Sequence, residues 1–189
     1  MNRNITKRDR LLTLLAERAM VISKTPITLA SGKTSDYYID GRVVTTSADG
    51  APLIADLIKE LIGDTPVDSV GGLTMGADPM LGALSGKGYY NTFMVRKEPK
   101  KHGLTKWIEG NLSQDDKRVV IIDDVATSGG STLKTINRIK EEFSHLQIVK
   151  VIVLVDREEG AKEKLAEHGY TLESLFTANE IRKEKESLT

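Results

Sequence analysis

The stretch Val119-Val120-Ile121-Ile122-Asp123-Asp124-Val125-Ala126-Thr127-Ser128-Gly129-Gly130-Ser131-Thr132 limits what this chain can fold into more than any other. Four consecutive apolar residues read as a strand buried on both faces. Two carboxylates follow where that strand is expected to end, and then a run of small hydrogen-bonding residues. Beyond them Leu133, Ile136, Ile139 and Phe143 recur at helical spacing. This order sets the backbone N–H groups of a turn and a helix N-terminus beside two acids. The N–H groups suit a phosphate, and the carboxylates suit sugar hydroxyls or a hydrated Mg²⁺. One loop would thus grip both halves of a sugar phosphate. Capping explains any one of these residues. Two adjacent glycines, however, weaken a helix start by roughly 1 kcal/mol each relative to Ala, so a ligand accounts for the set better.

The rest of the chain alternates strands with helices. Leu11, Leu12, Leu14, Leu15 and Met20 give an apolar face to an N-terminal helix. Residues 26–30 and 37–40 read as short strands around the turn 31–36. Ser47 or Asp49 caps a helix with Pro52 in its first turn and Leu53, Leu57, Ile58 and Leu61 facing inward. Val67–Val70 is a strand running into a second Gly-rich turn, Gly71 to Pro79, before a helix around Met80 to Leu84. Asn91–Val95 is a strand and 96–116 a long loop. Ile148–Val155 is a strand ending in Asp156-Arg157-Glu158-Glu159-Gly160, followed by a helix, a strand near Tyr170 to Leu175 and a charged terminal helix. Alternation of this kind implies an α/β fold with a parallel sheet and right-handed crossovers, whose ligands bind beyond the carboxyl ends of the strands. Both Gly-rich turns, the loop after Val95 and the Asp156-Arg157 turn should therefore share one edge.

The long loop carries Arg96, Lys97, Lys100, Lys101 and Lys106 against a single acid, Glu98, with His102-Gly103 among them. Loops of this length in compact domains tend to act as lids, and a cationic lid opposite a phosphate cradle suits a polyanionic substrate. The cationic character is local, because Lys plus Arg and Asp plus Glu are 27 each over the chain. No global basic field points to nucleic acid. The absence of cysteine excludes disulfides, cysteine catalysis and thiolate metal sites. The polar N-terminus and the lack of a long apolar run lead to the expectation of a soluble, cytoplasmic protein without membrane contact.

Residues 119–132 resemble the phosphoribosyl pyrophosphate (PRPP) signature of type I phosphoribosyltransferases. Residues 28–40 look like the base-side hairpin of the orotate phosphoribosyltransferases, 96–103 like their catalytic loop, and 155–160 like the turn whose arginine holds the orotate carboxylate. The resemblance implies a single type I phosphoribosyltransferase domain over residues 1–189, a central parallel sheet flanked by helices. Residues 1–45 and the C-terminal segment would form a small hood over the base site. It also implies transfer of phosphoribose from PRPP to N1 of orotate with Mg²⁺, giving orotidine 5′-monophosphate and pyrophosphate in pyrimidine biosynthesis. Asp123 and Asp124 would hold the ribose hydroxyls, directly or through waters on Mg²⁺. Val125, Ala126, Thr127, Ser128, Gly129, Gly130 and Ser131 would cradle the 5′-phosphate. Arg96, Lys97, Lys100 and His102 would stabilise the leaving pyrophosphate, with His102 or Lys100 as proton donor. Lys33, Tyr38, Thr127 and Arg157 would bind orotate, Arg157 through the carboxylate. A homodimer is implied, with Lys97 of one subunit completing its neighbour's site. Two positions depart from many relatives: Ala30 stands where a Lys is common, and Thr74-Met75 where some have Tyr-Lys. Lys33 or the backbone of 72–76 would take over those contacts.

Two rivals remain at this point. A purine phosphoribosyltransferase would gain nothing from an Arg placed for a carboxylate, and a regulator that senses PRPP without chemistry would need no leaving-group stabilisation. A P-loop nucleotidase is a weaker rival still, since no Gly-x-x-x-x-Gly-Lys-Ser/Thr occurs and the Asp pair precedes the turn where a Lys should follow it.

Overall fold

Strands covered on both faces need apolar side chains at successive positions, and residues 119–122 and 151–155 meet that demand. In the computed structural model, which describes residues 5–28, 34–99 and 107–188, these runs lie in adjacent parallel strands, β6 (Arg118–Ala126) and β7 (Gln147–Asp156). They belong to a six-stranded sheet with β3 (Ser69–Leu73), β4 (Asn91–Val95), β5 (Ile108–Gly110) and β8 (Leu172–Thr177). The spatial order is β5-β4-β3-β6-β7-β8, and every pairing is parallel except that of β5 with β4.

Period-two alternation sends neighbouring residues to two separate cores. Val120, Ile122, Ile152 and Leu154 pack with α1 (Lys7–Leu14), α3 (Gly50–Ile62), α4 (Asp78–Gly86) and α7 (Ala178–Ser187). Val119, Ile121, Val151 and Val153 pack with α5 (Gly130–Glu142) and α6 (Ala161–Glu167) on the other face.

Several elements differ from the sequence expectation. Met20, expected on the first helix, opens strand β1 (Met20–Thr28), because α1 loosens into a π-helical turn at Leu15–Ala19. Strand β1 pairs antiparallel with β2 (Thr34–Ile39) in a separate two-stranded sheet at the N-terminus. Of the two cap candidates for α3, Ser47 Oγ accepts the Gly50 N–H at 3.0 Å. The Asp49 carboxylate is instead held by Arg18 in a two-bond fork at 3.0 and 2.9 Å. Gly71 and Gly72 belong to β3 rather than to a turn. A Cβ at Gly71 would lie 2.2 Å from the Phe93 ring, and one at Gly72 would lie 2.3 Å from the Ile122 carbonyl oxygen. These glycines let the buried Phe93 ring and the β6 backbone close onto the strand, a role that sequence alone does not separate from turn formation. Within the loop expected at 96–116 stands β5, whose three residues are too few to show alternation.

A short helix, α2 (Arg42–Thr45), follows β2. Asp56 ties α1, α3 and the end of α4 together. Lys7 Nζ lies 2.8 Å from Oδ2, the Tyr89 hydroxyl donates to Oδ1 at 2.8 Å, and Lys87 also pairs with Oδ1. The bond from Lys7, then that from Lys87, depresses the Asp56 pKa. A depressed carboxyl contributes stability that is present above its unfolded pKa, roughly 4, and is lost as pH falls through the folded value. Asp56→Asn is therefore expected to cost about 1 kcal/mol near neutrality, a modest figure because the lysines are solvated. The gap to wild type should close in urea melts run below pH 4. A gap of constant size across that range would overturn the assignment.

Candidate active site

Strand β6 continues through both acids because its partners end at different heights. Pairing with β3 stops at Gly72–Ile122, whereas pairing with β7 runs on to Ala126–Asp156. Asp123 and Asp124 therefore stand above the end of β3 with one side open. Glycine lets the turn after β3 approach them. A Cβ at Gly76 would lie 2.5 Å from Asp124 Oδ1 and 3.1 Å from Asp123 Oδ1. Asp123 Oδ1 accepts the Asp124 N–H at 3.0 Å, and Asp124 Oδ1 accepts the Val125 N–H at 2.8 Å. Asp123 is buried. Desolvation first, and the Asp124 charge second, push its carboxyl well above the usual carboxylate range, while Lys97 pulls the other way.

The acids open into a cleft of about 510 Å³ at the carboxyl edge of the sheet. Its walls come from the turns after β3 (Thr74, Met75, Gly76), β4 (Lys97), β6 (Thr127, Ser131) and β7 (Arg157), together with Tyr38, Asp40 and Arg42 from the hairpin side. All four strand-end segments share one edge, as the alternation implied. Helix α5 begins at this cleft. Its N-cap, Gly129, has φ +73° and no side-chain cap, so the first-turn N–H groups are left for a ligand. A Cβ at Gly129 would also crowd the Ala161 carbonyl oxygen at 3.2 Å.

Arg157 also lines the cleft and is 7% exposed. Its backbone N–H bonds to the Ala126 carbonyl at 2.9 Å, which joins the turn after β7 to the end of β6. Nε donates to Glu159 Oε1 at 2.7 Å, Nη2 donates to Ser35 Oγ at 3.3 Å, and Cζ lies 4.5 Å from the Tyr37 ring centroid. The guanidinium is thus oriented by three neighbours while it borders the cleft.

Of the residues selected from sequence, Tyr38, Lys97, Asp123, Asp124, Val125, Thr127, Ser131 and Arg157 line this one cleft. Lys97 lies at the cleft of its own chain. Ala126, Ser128, Gly129 and Gly130 stand in the strand end and turn beneath it rather than on its wall. Arg96 is not on the wall either. Its Nη1 lies 3.8 Å from Glu109 Oε1 and its Nε donates to the Glu98 carbonyl, along the β4–β5 edge. Lys33, Lys100 and His102, with Ala30, fall outside the described residues. Sequence reasoning missed Arg42 and Asp40. The Arg42 Nε and Nη2 donate to Asp40 Oδ1 and Oδ2 at 2.9 and 3.1 Å, which turns a hairpin-end arginine into a cleft cation. The Asp-x-Arg spacing was visible, but no periodicity marks it.

No group of three or more His, Asp or Glu side chains among the described residues forms a metal cage. Mg²⁺ typically takes one or two carboxylates and completes its shell with water and substrate phosphates. Asp123 and Asp124, adjacent oxygen donors at a phosphate-suited turn whose close carboxyls a cation would let ionise together, fit that pattern.

The family model for the phosphoribosyl transferase domain matches residues 45–178. An orotate phosphoribosyltransferase of Rhodopseudomonas palustris is 40% identical over 182 residues, covering 92% of this chain and 95% of the relative. The crystal structure of the Aeropyrum pernix orotate phosphoribosyltransferase superposes with a TM-score of 0.79 at 32% identity, over 95% of this chain and 99% of that one. That of Mycobacterium tuberculosis orotate phosphoribosyltransferase in complex with PRPP superposes at 0.76 with 29% identity, over 93% and 99%. With near full-length coverage in both directions and an acid pair, a bare helix start and a buried arginine around one cleft, this chain belongs to the orotate phosphoribosyltransferase family.

Proposed function

We infer that the chain transfers phosphoribose from PRPP to orotate, releasing pyrophosphate and forming orotidine 5′-monophosphate for pyrimidine biosynthesis. The observation that carries this reading is one cleft lined both by the Asp123–Asp124 pair with the start of α5 and by a buried, fork-shaped cation, Arg157. Asp123 and Asp124 accept the ribose hydroxyls, and the N–H groups of the Thr127–Ser131 turn hold the 5′-phosphate. Arg157 presents its Nη edge to the orotate carboxylate, a geometry that a lysine does not reproduce. Tyr38 and Thr127 bound the base.

As the bond from C1 to pyrophosphate breaks, negative charge grows on the leaving group and positive charge on the ribose. Lys97 at the cleft opposes the first, and the acid pair the second. Lys100 and His102 belong to the same cationic loop, with either as proton donor. Asp123 and Asp124 would hold Mg²⁺ through water, and the ion would supply further positive charge against the leaving pyrophosphate. The N-terminal hairpin with helix α7 forms the hood over the base, and two chains associate so that the loop, which sets Lys97 at its own cleft in the single chain, also reaches the neighbouring site.

Mixing the protein with orotate, PRPP and Mg²⁺ is expected to deplete orotate absorbance, and chelating the metal should stop the loss. No turnover at micromolar enzyme would favour a PRPP-binding regulator.

A further inference from the structure

The base-side arginine is not held by its own turn alone. Tyr37 of β2 carries two guanidinium groups, Arg157 with Cζ 4.5 Å from the ring centroid and Arg182 with Cζ 5.2 Å from it. Arg182 comes from helix α7, more than a hundred residues from the hairpin, and also pairs with Asp36. Each cation therefore has its own carboxylate, Glu159 for Arg157 and Asp36 for Arg182. The ring is what the two have in common.

Helix α7 is a firm base for such a contact. Its N-terminus has a capping box between Thr177 and Glu180. Arg8 reaches Glu180 at 2.6 Å, Thr13 Oγ1 donates to Glu184 at 2.7 Å, and Lys185 Nζ donates to the Ala16 carbonyl at 2.7 Å. None of these contacts involves the hairpin. Removing Arg182 should leave the helix docked while taking away its grip on Tyr37.

We propose that Arg182 is a positioning residue for base recognition: through the Tyr37 ring it fixes the Arg157 fork, and so sets affinity and selectivity for a carboxylated pyrimidine without touching the substrate. The proposal rests on the assignment of Arg157 to the base carboxylate. With Nε occupied by Glu159 and the ring against its face, Arg157 can offer only its Nη edge to the cleft. Loss of the ring's restraint lets the fork rotate in its plane and tilt, which weakens bidentate pairing while leaving the acid pair and phosphate cradle untouched.

Steady-state kinetics and orotate titrations on the full chain test this. Arg182→Ala should raise the orotate KM and Kd by about 3- to 30-fold, the range of one cation–π contact, with kcat and the PRPP KM within about twofold. It should also narrow the preference for orotate over uracil, which lacks the carboxylate. Arg182→Lys should recover part of the loss, and Lys183→Ala, removing a neighbouring exposed cation of α7, should change neither KM. Tyr37→Leu provides a second route to the same split if Arg182→Ala does not fold. Wild-type turnover combined with an unchanged orotate KM in Arg182→Ala, or an equal rise in both KM values, overturns this inference alone. Failure of the wild type to bind or consume orotate overturns the assigned reaction and this inference with it.

Discussion

Asp123→Asn is expected to melt at a higher temperature than the wild type and to be a far poorer enzyme. Asp123 is buried against Asp124, and both its desolvation and its neighbour's charge oppose ionisation. An amide of the same shape keeps the acceptor for the Asp124 N–H, seen at 3.0 Å, and gains a donor toward the Asp124 carboxylate. In a domain of this size each kcal/mol recovered raises Tm by about 2–4 °C. On the proposed role the same change replaces a carboxyl able to ionise when the donor binds by an amide that cannot, and a ribose hydroxyl bond to a charged acceptor is worth about 1.5–3 kcal/mol, so kcat/KM should fall by about 10- to 100-fold. Asp124→Asn makes the contrast, because that side chain is only partly buried. It should lose comparable activity with little gain in Tm. Calorimetry beside steady-state kinetics checks both halves. A destabilised Asp123→Asn with normal activity would mean that the acid pair is structural.

Replacing Arg157 by Ala should raise the orotate KM by about 30-fold or more, since truncating one partner of a buried, hydrogen-bonded charge pair costs about 2–5 kcal/mol. The PRPP KM should move little, because the acid pair and the α5 N-terminus lie on other elements. Arg157→Ala also strands the Glu159 carboxylate and uncovers the Tyr37 ring, so a thermal melt is needed beside the kinetics. Arg157→Lys separates the two effects: it keeps a charge near Glu159 but loses the planar fork, and should recover stability more fully than orotate affinity. Equal rises in the two KM values would undermine the carboxylate assignment and return the purine alternative to consideration.

The donor side of the site was legible in sequence because it is local. Residues 119–132 are contiguous, so a buried strand, two acids, a bare turn and a helix start can be read in order. Their spatial relation follows from strand and helix geometry alone. The extent of β6 was not legible, because the strand continues past Ile122 only through pairing with β7 while β3 has already stopped. For the same reason Gly71 and Gly72 read as a turn. Their need for an absent Cβ comes from Phe93 and Ile122, which belong to other strands. Arg96 and Lys97 looked equivalent in the cationic loop, yet Glu109 on the three-residue strand β5 draws the first away while the second faces the cleft.

The chain's pattern alone therefore determined the alternating architecture, the sheet edge on which the cleft opens and the acid-pair turn that lines it. Each of these depends on periodicity or on residues adjacent along the chain. Tertiary structure decided the rest: that Gly76 reaches the acid pair, that Asp40 holds Arg42 at the cleft, and that Ser35, Tyr37 and Glu159 surround Arg157 while the distant Arg182 meets the same Tyr37 ring. Hydrophobic period reports which face of an element is buried. It carries no information about which polar side chains from separate elements meet once those faces are packed.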